Sequence, residues 1–502
     1  MTTENDPMEP RTYGNWIRPR SPGLAGLGTI GTVLLFIGAI VAIICFMRTS
    51  FAWGLGVLGA TGLLLAMGVW KDKHGISVLE RMGERMAWWR RSRGKHTWYR
   101  SGTVSRIPWG TCQLPGILAR TTLRESDDAF GQRFAVIEAP SQSTYTAVLT
   151  CSPEGTQLVD GFDIDRRVAA WGQFLAIVGS EPGIAGLSVT IEGAPDTGMR
   201  LSKRVEDRIS RDAPPFATDV IRQVVSMQPE GSSQVQAYVA ITWNAATRKG
   251  GRRRDADTVT RELAARLPVL AQTLEMTGAG AVRNCTAQDI CEFTRIAYDP
   301  AVASLIEEGV MTGQTAAIRW PDTGPAATEE TWDTYRHDSG VSTTWMMTGA
   351  PRGLIQSGVL SALLTPNRKI WRKRVTLLFR PIDPAVAAVL VEADRREAEF
   401  AATSSVRPSA RDITRVKAAR ATANEEAGGA GLVNFGLLAT ATWRPSDEAR
   451  DVVAAMDSAA AISRVQLRPC YGMQQTAFAA CLPLGMQLER FLSLSAEIGS
   501  KL

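Results

Sequence analysis

The stretch Asp333-Thr334-Tyr335-Arg336-His337-Asp338-Ser339 gathers a base, carboxylates and a hydroxyl within seven residues. Acyl transfer by a Ser/His/Asp set needs that base aimed at a nucleophile on a rigid turn, with an oxyanion hole behind it. The chain has no Gly-x-Ser-x-Gly elbow to supply such a turn, so the stretch reads as a solvated approach to a strand. Nucleotide hydrolysis needs a glycine loop closing on Gly-Lys-Ser/Thr, because backbone amides and that lysine grip the phosphates. Gly94-Lys95 is followed by His96 and does not qualify. Gly278-Ala279-Gly280-Ala281 follows a predicted helix instead of a strand, which aims the helix N-terminus the wrong way. Three histidines, and seven cysteines with no Cys-x-x-Cys, are poor material for a zinc or di-iron centre. Free thiols in a reducing compartment are expected. Glu329-Glu330 and Glu425-Glu426 are sequence neighbours, which a helix turns to different faces. The expectation is a chain that is not an enzyme, with no catalytic, cofactor-binding or metal-binding residues.

The elements behind these residues begin at a bilayer. Leu24–Phe46 and Phe51–Trp70 are nearly charge-free apolar runs of 23 and 20 residues, each long enough for a membrane-crossing helix. Four residues, Met47-Arg48-Thr49-Ser50, separate them and allow only a tight hairpin. A cleaved signal peptide would have a shorter apolar core and no second span directly behind it. Glycines at 26, 28, 31, 38, 54, 56, 59 and 62 suit close packing of helix backbones. Arg11, Arg18 and Arg20 precede the first run, and ten Lys/Arg follow the second within residues 71–106. Positive flanks stay inside, so the inner membrane is the expected location, with two spans and both termini cytoplasmic.

Residues 71–106 hold three acidic residues against those ten cations, a net +7, whereas the whole chain carries +6. The excess basicity is thus concentrated beside the membrane, where anionic headgroups attract it. Ile76, Leu79, Met82, Met86 and Trp89 recur at helical spacing. The pattern predicts an amphipathic helix on the inner leaflet, with Arg85, Trp88, Trp89, Arg90, Arg91, Arg93 and Lys95 as contacts for lipid. A second basic run ends in Arg252, Arg253 and Arg254 and reads as an exposed turn between a strand and a helix. Any contact with nucleic acid is expected to be indirect or weak.

The domains read as a tail (1–23), the hairpin (24–70), the juxtamembrane helix (71–109), two α+β units (110–330 and 331–485) and a terminal tail (486–502). Phe134–Glu138 and Thr144–Cys151 alternate around Pro140-Ser141-Gln142 as a β-hairpin does. Gln234–Trp243 is a strand, Asp257–Thr277 a long helix, and Thr286 with Asp289 a capping box. Asp163 or Asp165 caps a helix running to Ser180. The second half replays the order: "LSVTIEGAPD", helices, "VQAYVAITWNA" is answered by "VTLLFRPIDP", helices, "NFGLLATATWRP". A repeat outranks other fold evidence, and two ferredoxin-like β-α-β-β-α-β units, each with helices on one face of its sheet, fit the string best; a single mixed sheet would give a similar string. The expected fold class is α+β, a two-helix transmembrane hairpin followed by a duplicated ferredoxin-like body.

"RPCYGMQQTAFAACLPLG", Arg468–Gly485, resembles the junction that closes the N-terminal, non-ATPase domain of VirB-type conjugation ATPases. The hairpin is similar to the small two-span inner-membrane subunit of the same machines. "YGNWIRPRSPGLAGLG", "RHDSGVSTTW" and "GAGLVNF" resemble an actinobacterial family of membrane proteins in conjugative or type IV secretion-like clusters. The resemblance implies a DNA-transfer or secretion scaffold whose partners are the bilayer, a P-loop ATPase in trans, other secretion membrane subunits and a second copy of itself. It points to Leu482, Pro483, Leu484 and Gly485 as the surface on which the ATPase docks; the residues alone equally allow Leu482-Pro483-Leu484 to cap the core. Two alternatives are a structural subunit of a type VII-like secretion pore and a membrane-anchored nucleic-acid-binding protein.

Overall fold

The computed structural model describes residues 13–14, 28–48, 51–70, 72, 74–105, 111–153, 155, 159–196, 198–210, 212–227, 233–246, 254–314, 317–351, 355–404 and 409–491. It is a mixed helix and sheet structure, an α+β fold. Its strands arise where side chains alternate: Ala237, Val239, Ile241 and Trp243 fall on one side, Tyr238, Ala240 and Thr242 on the other. The strands are β1 (Trp98–Arg100), β2 (Thr122–Asp127), β3 (Arg133–Ala139), β4 (Thr144–Ser152), β5 (Ile184–Pro195), β6 (Ser233–Asn244) and β7 (Ala281–Asn284). They continue with β8 (Ala327–Glu330), β9 (Tyr335–His337), β10 (Gly340–Gly349), β11 (Arg372–Pro381), β12 (Val433–Trp443) and β13 (Gln466–Pro469).

All thirteen join one sheet in the order β1-β8-β9-β10-β12-β11-β5-β6-β4-β3-β2, with β13 beside β10 and β7 beside β4. Two separate sheets were expected; one continuous antiparallel sheet is found. The join is β5 against β11, with Thr190 opposite Thr376. Each strand would otherwise leave an open edge, and pairing removes both. On either side of the join the strand order repeats, β7-β4-β6-β5 and β13-β10-β12-β11. Residues 98–100, placed by sequence in the juxtamembrane segment, form the edge strand beside β8. The sheet runs on across residue 330, with β8 before it paired to β9 after it.

Helices cover both faces, where one was expected. On the first face lie Gly161–Ser180 and Ala256–Leu274, whose Val259, Leu263, Leu267, Leu270 and Leu274 share a buried stripe, and Ala449–Ile462. On the second lie Ala287–Tyr298 and Gln474–Ala480. Thr286 and Asp289 form the reciprocal cap of Ala287–Tyr298. Gly161–Ser180 starts from Asp160, not from Asp163 or Asp165, and without a side-chain cap. After Ala256–Leu274 the chain turns at Gly278 and Gly280, both at positive φ. A Cβ on Gly280 would lie 1.9 Å from the Ser152 carbonyl oxygen, so that glycine is required by the close passage of β4.

Ahead of the body, helices Gly28–Arg48 and Phe51–Val69 pack on each other. A Cβ on Gly38 would fall 2.3 Å from the Thr61 side chain, the contact small residues permit. Phe51–Gly68 is long and apolar enough to cross a membrane; Thr32–Arg48 is a shorter apolar stretch. Large side chains on both, among them Phe36, Ile40, Ile44, Trp53, Leu58 and Leu63, stand exposed.

Candidate functional site

His337 ends β9 and is wholly buried, not solvated as the local sequence suggested. The strand is held between β8 and β10, which forces the ring inward among Tyr298, Tyr335 and Phe478. Its Nδ1 lies 2.6 Å from the Tyr298 carbonyl oxygen and its Nε2 2.7 Å from Ser342 Oγ, which in turn meets Thr442. The carbonyl can only accept, so Nδ1 carries the proton and Nε2 accepts from Ser342. This is the distance of a base–nucleophile pair, yet both members are sealed from solvent. Burial pushes the imidazole down to about 4. Asp338 instead accepts from the Ala326 and Ala327 amides, and Ser339 donates to Asp299. The His337 ring thus ties β9 to the end of helix Ala287–Tyr298 and to β10.

The second face of the sheet carries a band of paired hydroxyls. Thr146 meets Thr242, Thr190 meets Thr376, and Thr344 meets Thr440, each at 2.8–3.0 Å across adjacent strands. At the join, Glu192 of β5 takes Arg372 at 2.8 Å and Arg374 at 3.2 Å, both from β11. Burial alone would raise the Glu192 carboxyl, but the two guanidinium groups hold it below its ordinary range. Arg374 also lies 5.7 Å from the Phe478 ring centre, linking the ion pair to the helix Gln474–Ala480.

Leu482, Pro483, Leu484 and Gly485 lie on this band, and all four are buried. Thr376 donates to the Cys481 carbonyl at 2.7 Å and Thr242 to the Gly485 carbonyl at 3.4 Å. Gln142 accepts from the Gln487 amide at 2.8 Å. Gly485 has φ +69°, and a Cβ there would meet the Thr146 and Thr242 hydroxyls at 2.3 Å. The expectation that these four residues form a docking surface is therefore corrected: Leu482, Pro483 and Leu484 fill the chain's own core, and the backbone of Gly485 packs against the threonines.

The helix Val78–Arg93 opens on a capping box of Ser77 and Glu80. One side grips the body. Glu84 pairs with Arg468 through two bonds of 3.1 and 2.6 Å, and Arg91 bonds Glu330 at 2.6 Å and the Gly472 carbonyl at 2.8 Å. Burial pushes the Glu330 carboxyl up, and Arg91 offsets part of this. Trp88 meets Trp332 edge-on, and Trp332 stacks on Tyr471. Arg85 leans over Trp332. Three of the seven lipid candidates, Arg85, Trp88 and Arg91, thus face protein. Trp89, Arg90, Arg93 and Lys95 are exposed, with Arg93 stacked 3.9 Å over Trp89.

In the second basic run, Arg254 is a structural residue: it donates to the Asn244 carbonyl at 2.9 Å and the Ala245 carbonyl at 3.3 Å and pairs with Glu262. Arg252 and Arg253 lie outside the described residues. One surface escaped sequence reasoning. Helix Pro215–Met227 buries no residue, and Phe216, Val220, Val224 and Met227 stand exposed along one side. Their spacing of four, four and three was the available signal.

A family model described as a domain of unknown function (DUF8461) matches residues 20–80, the apolar hairpin and the start of the helix behind it. No curated protein matches the chain.

Proposed function

We propose that this chain is a non-catalytic inner-membrane assembly subunit of a conjugative or type IV-like secretion apparatus, anchoring and docking a separate P-loop ATPase. In this reading the apolar helices are two membrane spans, both termini are cytoplasmic, and the body is a duplicated ferredoxin-like unit. One observation carries the topology. Tyr13, ahead of the first apolar helix, hydrogen-bonds Ile355 through its backbone and Asp165 through its hydroxyl at 2.7 Å. Residues before and after the hairpin touch each other, so they share one side of any membrane the hairpin enters. Two crossings satisfy that condition; one does not. The repeated strand order on either side of β5 and β11 supports the duplication. The sealed His337–Ser342 pair supports a structural role for the residues most like a catalytic set.

With Leu482–Gly485 committed to the core, the ATPase needs another surface. The exposed row Phe216, Val220, Val224 and Met227 offers the apolar area that protein partners use. Pull-down of the full chain from detergent, with mass spectrometry, is expected to recover a P-loop ATPase. Phe216→Asp with Val224→Asp should abolish recovery while the chain stays in the membrane fraction. Recovery of no ATPase with the wild-type chain would refute the docking role.

A further inference from the structure

The helix Val78–Arg93 has a second side that the body does not use. Glu84, Trp88 and Arg91, which grip the body, lie within about 60° of each other at 100° per residue. Leu79, Met82, Met86 and Trp89 fall on the opposite side, and all four are exposed. Arg90 lies along one edge of that stripe, and Arg93 closes its C-terminal end. An apolar row edged by cations is the arrangement of a helix lying in a membrane interface. Its position agrees. The helix starts one tight turn after the apolar helix Phe51–Val69, closed by bonds from Asp72 N to the Ile76 carbonyl and from Val78 N to the Trp70 carbonyl. Arg81 pairs with Asp72 across the same turn.

We infer that this helix is a two-sided bracket. It lays Leu79, Met82, Met86 and Trp89 into an anionic lipid surface while its other side holds the body through Glu84–Arg468 and Arg91–Glu330. The inference rests on the hairpin being embedded, as proposed above. Nucleic acid would satisfy the arginines but leave the apolar row in water; lipid satisfies both. The bracket sets how the body stands on the membrane, because the segment it grips, Arg468–Gly472, leads directly into the C-terminal residues laid across the join of the two halves.

The test uses the full chain in lipid nanodiscs of phosphatidylcholine alone or mixed with phosphatidylglycerol. The readout is the rate at which peroxide oxidises Met82 and Met86, 54% and 62% exposed, against Met276, 70% exposed on the body. Sulfurs sunk in lipid are expected to oxidise several-fold more slowly than Met276 in the anionic discs. Arg90→Glu with Arg93→Glu, on the side away from the body, should erase that protection. Equal rates at all three methionines, in a chain that resists alkaline carbonate extraction, would overturn the bracket and leave the anchor standing. Release by carbonate would instead remove the anchor reading beneath it. Protection by duplex DNA without lipid would also overturn the inference, in favour of a nucleic-acid contact.

Discussion

On one face of the sheet, Val239, Ile241, Leu437 and Ala439 meet the long helices through carbon alone. On the other, Thr146, Thr190, Thr242, Thr344, Thr376 and Thr440 present hydroxyls, and Glu192 and Arg374 present charges, to the last part of the chain. Apolar contact is non-directional and accepts many partners of suitable volume. A buried polar band accepts only a partner that satisfies each donor and acceptor, because an unmet one is costly. The second face is therefore specific for residues 470–487, and that segment spans both halves. It ties β6 to β11 through the Gly485 and Cys481 carbonyls.

Breaking the charge at the join should have the largest effect. Glu192→Leu leaves Arg374 buried without its carboxylate, a loss of about 3–5 kcal/mol, measurable by urea unfolding in detergent. Adding Arg374→Leu should recover part of it. Leu484→Ala comes next: a fully buried side chain whose removal costs roughly 2–5 kcal/mol. Both variants should raise hydrogen exchange in residues 470–487 more than in the helix Ala256–Leu274. Equal rises in the two segments would show that the faces are not separate.

His337 sharpens the comparison through pH. Its folded pKa is lowered from 6.5 to about 4, so the folded state resists protonation more than the unfolded state does. The stability it contributes is complete above pH 6.5 and is lost as pH falls from 6.5 towards 4. Unfolding titrated over that window should show the decline, and His337→Gln should flatten it. The smallest effect expected is that of Thr376→Val. It removes the donor to the Cys481 carbonyl and should cost about 1–3 kcal/mol, with most of the change at the C-terminal segment.

The sequence made the local elements readable. β6 and β12 alternate, the helix Ala256–Leu274 repeats its leucines at helical spacing, and Thr286 with Asp289 is a cap written in four residues. What it hid was long-range. β5 and β11 pair across some 180 residues, and no local pattern records that pairing, so two sheets were expected. Cys481–Gly485 is apolar with one proline, a composition equally suited to a surface ridge and a core plug. The outcome was decided by threonines in distant strands. His337 is polar in its own neighbourhood and buried only because β9 is flanked on both sides. Of the juxtamembrane candidates, the helical period was legible, but which side met the body depended on Glu330, Trp332 and Arg468.

The central claim is that this chain holds another protein at the inner membrane. The most direct test is the amount of P-loop ATPase in washed membranes from cells with the full chain and from cells lacking it. The account predicts that the ATPase leaves the membrane fraction when the chain is missing and returns when it is restored. An ATPase that stays membrane-bound and active without it would contradict the account.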